Sequence, residues 1–225
     1  MPGPTWNTDD PQDAARRVGN AAALARALSA DANLREQPTV ALACSWHVRL
    51  YAGCVVPSQQ YLGAFRGDAD RPDLVDYELG VGPLQPDGYP ENVGVWSRDV
   101  SAAVGVLVAD VASAVTVLDA RFPVGTRPQT VEHLHGLVQV LAAVHGEWVR
   151  IHPFANGNGR TARVWAAWLA VRYGLPVFVS LQPRPADTAY ARAGRASMGR
   201  PPDFLGDHSE ATNVFLHLLT LALLP

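Results

Sequence analysis

Apolar residues recur along the middle of this chain with one period. Val100, Val104, Leu107, Val111, Val115 and Leu118 return every three or four residues, and after a break at Phe122-Pro123 so do Val131, Leu134, Val138, Leu141, Val144 and Trp148. That spacing places each set on one face of a helix, so two long helices must lie against a common core. Ser97 or Asp99 is available as N-cap of the first, which is expected to be long and buried. The second should end at Pro153, because the residue before a proline is pushed out of the helical region. A third helix is expected to start near Arg160, bury Val164, Trp165, Trp168 and Leu169, and stop at Gly174 with Pro176 following.

Weaker signals fill the rest. The Ala-rich stretch 13–28 carries Val18, Leu24 and Leu28 at helical intervals, and Val40 to Tyr51 gives another short helix ahead of Gly53. Asp187 can cap a short helix through Tyr190, and Asp207 with Glu210 three residues on resembles a capping box ahead of Val214 to Leu224. Only residues 57–96 differ in character. Gly and Pro recur there, Val75, Tyr77 and Leu79 alternate with polar residues, and Pro86-Asp87-Gly88 signals a turn, so one small hairpin is expected. The fold class is therefore all-α, a mainly helical bundle with a small β-hairpin. It is read as one domain over 1–225, with 1–39 as a helical extension, 57–96 as the loop region and 97–175 as core helices.

Charge narrows the partners. A net charge of −3 and a pI near 6.1 argue against general binding to nucleic-acid backbone, which needs clustered positive charge. No lysine occurs, so a Schiff-base lysine and a P-loop lysine are excluded and all fixed positive charge rests on arginine, which grips phosphate through a planar fork. Cys44 and Cys54 show no metal-ligand spacing and read as small buried hydrophobes, which fits a reducing, cytoplasmic setting. The first ten residues lack the basic start and apolar run of a signal peptide. Val100 to Leu118 is interrupted by Asp110 and Val214 to Leu224 is short, so both are expected as core helices and no membrane contact is expected.

The chemistry concentrates in His152-Pro-Phe-Ala-Asn-Gly-Asn-Gly-Arg-Thr-Ala-Arg163, at the junction of two helices. The first amides of a helix lack intrahelical acceptors and sit at the positive end of its dipole. Glycines at 157 and 159 let the backbone approach a phosphate closely. Arg160 and Arg163 lie three apart on one helix face, within reach of outer phosphates. His152, leaving the preceding helix at the same mouth, is placed to accept a proton from a hydroxyl. Phe154 reads as an apolar anchor pinning the loop to the core. His133 and His135, two apart on a helix, point in different directions and read as structural. His145 and Glu147 lie nearer the loop without a role that spacing assigns.

These twelve residues resemble the motif of the Fic (Fic/Doc) domain family, His-x-Phe-x-(Asp or Glu)-Gly-Asn-Gly-Arg-x-x-Arg. Trp46-His-Val-Arg-Leu-Tyr51 and Gly63-Ala-Phe-Arg66 are similar to the family's segment leading into its β-hairpin flap, and the likeness runs over roughly 40–222. The resemblance implies a protein AMP-transferase with ATP as substrate and magnesium as cofactor. Some members transfer UMP, phosphocholine or phosphate instead. His152 would activate a target Ser, Thr or Tyr hydroxyl, Gly157, Asn158 and Gly159 would form the phosphate-binding turn, and Arg160 and Arg163 would hold the β and γ phosphates. The target protein would dock at the flap, within Gly63 to Gly88, by strand addition. Asn156 stands where the family usually carries its acidic metal ligand; an amide oxygen can coordinate magnesium more weakly, and the alternatives are a different donor or a binding module with little turnover. No Ser or Thr is followed four residues later by Glu, so the family's restraining helix is not found, and a separate small antitoxin-like partner is one expectation.

Overall fold

The computed structural model describes residue 6 and residues 11–224. Among these, the chain forms helices α1 (Ala14–Asp31), α2 (Val40–Leu50), α3 (Ser97–Arg121), α4 (Val131–Ile151), α5 (Asn158–Arg172), α6 (Thr188–Ser197) and α7 (Ser209–Leu223), with strands β1 (Gly80–Leu84) and β2 (Pro90–Val93). The helix α4 is central and packs against α3, α5, α6 and α7, while α1 and α2 lie over α5. A tryptophan cluster fills the middle: Trp46 of α2, Trp148 of α4 and Trp165 of α5 are buried, with the Trp46 and Trp165 rings edge-on at 4.8 Å. Each such ring removes on the order of 150–250 Å² from water, which ties the three helices together more strongly than any propensity. The mainly helical bundle with a small hairpin is thus the architecture observed.

Several expectations need correction. The N-cap of α3 is neither Ser97 nor Asp99, since the helix begins at Ser97 after Trp96 with no side-chain cap of its own. The carboxylate of Glu78 does that work from the loop, accepting the Ser97 backbone N–H at 3.0 Å and its hydroxyl at 2.8 Å. Nor is α3 buried all round: Val100, Val104, Leu107, Val111 and Val115 face the core, but Val106 and Val117 are exposed. By length and composition it is apolar enough to cross a membrane, with only a third of that window buried. The capping box at Asp207 does not form, because Asp207 Oδ1 accepts from Ser209 N–H and Glu210 pairs with Arg192. Asp187 does cap α6, accepting from Ala189 N–H at 2.7 Å, though that helix runs on to Ser197. The hairpin lies beyond the alternating residues Val75, Tyr77 and Leu79, with Gly80 opposite Val93 and an irregularity between Val81 and Leu84. Cys44 and Cys54 are free thiols, and burial pushes Cys44 up to about 11.

Candidate functional site

Helix α4 ends at Ile151, and His152 turns the chain with φ 54° and ψ 55°. A side chain with positive φ is uncommon and has to be held there by its surroundings. Two contacts do so. The buried Arg66 donates from Nε to the His152 carbonyl at 2.8 Å, and the imidazole Nδ1 lies 2.9 Å from the Val149 carbonyl. A carbonyl only accepts, so Nδ1 carries the proton and the lone pair is left on Nε2. Burial lowers the ring's pKa to about 4, with the positive charge of Arg66 adding to the effect and the Val149 bond opposing it. The histidine is therefore neutral near pH 7, the form that accepts a proton.

The loop beyond it is braced from α2, a role that spacing alone did not assign. The Phe154 ring is fully buried and stacks on His47, centroids 3.9 Å apart. His47 Nδ1 accepts Gly63 N–H at 3.0 Å, so Nε2 carries the proton and donates to the Asn156 carbonyl, also at 3.0 Å. Burial takes His47 to about 4 as well. Asn158 is buried, and its side chain satisfies both polar groups of Phe154, each at 2.8 Å. Its part in the pocket is thus through its backbone at the first position of α5.

The two glycines differ. At Gly157 (φ 83°) a Cβ would meet the Tyr51 hydroxyl at 2.6 Å, so both conformation and space demand glycine. At Gly159 the nearest such contact is Arg163 Nη1 at 3.5 Å, so the fold tolerates a side chain and only a ligand in the pocket would exclude one.

His152, Gly157, Gly159, Arg160 and Arg163 all line one cavity of about 440 Å³, joined by Gln182 and Arg184 from the segment after α5. Arg160 is positioned by the Tyr51 hydroxyl at 2.7 Å and Gln182 Oε1 at 3.1 Å. Arg163 is buried, donating twice to the Leu181 carbonyl, at 3.2 and 2.9 Å, and once to Tyr190. His145 is buried behind it and shares a hydrogen bond with the same Tyr190 hydroxyl at 2.9 Å. Burial, then the nearby Arg163, lowers His145 to about 3. Glu147 points elsewhere, bonding His208 and Arg150. Burial alone would raise Glu147, but those two bonds outweigh it and bring it to about 2. His133 pairs with Arg121 and His135 is exposed, away from the site.

As a protein-held magnesium site these residues fit poorly. The Asn156 side-chain oxygen already accepts Gly157 N–H at 2.6 Å, and its nitrogen donates to the Trp6 carbonyl at 2.7 Å, a bond that a carboxylate would lack. Among the described residues lining the cavity there is no carboxylate and there are three guanidinium groups, a set suited to anions rather than to a hard divalent cation.

The family model "Fic/DOC family" matches residues 87–170, which include the loop just described. No curated protein matches the chain. Two solved structures are similar in fold. One is a Fic domain containing signaling protein from Bacteroides thetaiotaomicron VPI-5482, 18% identical, with TM-score 0.56, covering 91% of this chain and 69% of that one. The other is the N-terminal FIC domain of Bep8, a VirB-translocated Bartonella effector protein from Bartonella sp. 1-1C, 16% identical, with TM-score 0.54, covering 94% and 88%. The matched residues take in α3, α4 and most of α5.

Proposed function

We propose that the chain moves a nucleoside monophosphate, AMP in the simplest case, from a nucleoside triphosphate to a Ser, Thr or Tyr hydroxyl of another protein. In the step, the hydroxyl oxygen bonds to the α-phosphorus, its proton passes to His152 Nε2, and pyrophosphate leaves with the electrons of the broken phosphorus–oxygen bond. The observation that carries this reading is the pairing of a neutral imidazole, its Nδ1 proton committed to Val149, with an arginine-lined cavity at a helix N-terminus. Magnesium bound to a nucleotide's own phosphates would add charge neutralisation when present, while positioning and proton transfer rest on the chain's residues. The target would lie along β1, whose residues are all exposed, as an added strand.

Incubation with each nucleoside triphosphate and a lysate, read by intact-mass and peptide mass spectrometry, tests the reading. One nucleoside-monophosphate mass should appear on a target with the wild-type chain and vanish with His152→Ala; label transfer that survives in the variant removes His152 as the base. Asn156 favours a second reading, a module that binds nucleotide and turns little over, because its amide is tied to Trp6 and Gly157. Under that reading binding is measurable, no adduct forms, and Asn156→Asp does not create one.

A further inference from the structure

We infer that Arg184 is a donor-binding residue that grips the outermost phosphate of a nucleoside polyphosphate, in place of the charge that a carboxylate-held cation would bring. The inference rests on the proposed nucleotide site and extends it to a residue outside the matched region 87–170.

Gln182 and Arg184 of the segment 181–184 line the cavity together with the motif loop. The segment's Leu181 carbonyl takes two hydrogen bonds from Arg163 and its Gln182 side chain takes one from Arg160, so it is fastened to both motif arginines. Arg184 follows two residues later and lines the same cavity, exposed, with no hydrogen bond or ion pair among the described residues. An arginine without partners usually waves in solvent, but here Pro183 and Pro185 flank it. Proline fixes its own φ and restricts the residue before it, so the backbone that delivers Arg184 is preset and binding a ligand orders the side chain but little of the main chain.

Charge gives the second line of argument. Arg163 is buried and committed to Leu181 and Tyr190, and Arg160 to Tyr51 and Gln182, so each has part of its donor fork spent on holding the fold. Arg184 keeps its whole fork for a ligand. A triphosphate whose inner phosphates sit at the amides at the start of α5 would extend its terminal phosphate into the rest of the cavity, whose lining includes Arg184. A planar fork there suits a phosphate, and the described lining offers no carboxylate to compete with it.

Calorimetric titration of the full chain with ATP, ADP and AMP, in EDTA and in magnesium, compares wild type with Arg184→Ala and Arg184→Lys. Arg184→Ala should weaken ATP at least about tenfold and AMP less than about threefold, with Arg184→Lys between, since a point charge replaces one arm of a fork. Because the side chain makes no bond in the fold, its loss should not shift the melting temperature. ATP affinity within about threefold of wild type in Arg184→Ala overturns the inference, as does an equal loss for all three nucleotides. A wild-type ATP affinity that falls about tenfold or more on chelating magnesium overturns the replacement of cation by guanidinium. A wild-type chain that binds none of the three refutes the nucleotide site itself, a failure distinct from that of Arg184.

Discussion

The loop 152–158 and the hairpin β1–β2 meet at Gly94, where a Cβ would lie 2.9 Å from that of His152, yet they are built on opposite terms. In the loop, Phe154 and Asn158 are buried and the backbone is gripped by His47, Arg66 and Asn158. In the hairpin, every residue of β1 is exposed, and attachment to the body comes through β2, whose Pro90 and Glu91 carbonyls accept from Arg200. Fixed geometry is thus concentrated at the loop and absent from the outer strand. In the reaction proposed above, a proton acceptor must sit within a fraction of an ångström of its task, whereas a strand edge proposed to receive an extended segment works best with its partner groups left open.

The comparison breaks first under acid. His47, His145 and His152 are held neutral in the fold with pKa values of about 4, 3 and 4, while an unfolded histidine takes up its proton near 6.5. Between those values the unfolded chain binds more protons, so stability is full above about pH 6.5 and is lost as pH falls toward 4. A buried histidine shifted this far contributes on the order of 3 kcal/mol, so thermal melts should drop steeply over that window. A melting temperature flat from pH 7 to pH 4.5 would show the loop's brace to be looser than described.

Arg66→Met is the next test of the brace. The variant strips donors from the carbonyls of Tyr77, Val95, Ile151 and His152 at once. A cost of at least about 3 kcal/mol is expected, or roughly 6–12 °C in melting temperature, with transfer falling further still. Retained stability would mean that water replaces the guanidinium and that His152 is held by its own turn.

Within the loop, Gly157→Ala and Gly159→Ala sharpen the contrast between fold and ligand. The first should cost about 1–3 kcal/mol, from the left-handed φ and the collision with Tyr51. The second should leave the melting temperature in place and weaken ATP binding, as read by calorimetry. The smallest effect is expected in the hairpin: Leu84→Ala, at an exposed position, should change stability by less than about 0.5 kcal/mol, so any loss of transfer to a protein target would report docking alone.

Periodicity made most of the fold legible, because a buried stripe on α3, α4 and α5 leaves its mark at every third or fourth residue. It failed where the partner came from elsewhere in the chain. The cap of α3 is Glu78, nineteen residues upstream of Ser97, and no local pattern carries such a contact. The motif loop is readable because its residues are contiguous, and His152, the turn 156–159, Arg160 and Arg163 reach one cavity. Its supports were less so. His47 on α2 and Tyr51 at its C-terminal cap, four apart, both face the loop, and that i, i+4 pair was the one available signal. Leu181 contributes only a carbonyl, which any residue has, and Asn156 bonds to Trp6 across 150 positions.

The left-handed backbone at His152 has a practical corollary for anyone wishing to capture the proposed target protein. A decoy that docks both donor and target but never reacts must keep that turn after the imidazole is gone. Alanine gives up the ring and also resists positive φ, whereas asparagine tolerates it more readily than most residues. His152→Asn is therefore the bait of choice, and a longer-lived complex with it than with His152→Ala would trace the gain to one dihedral angle.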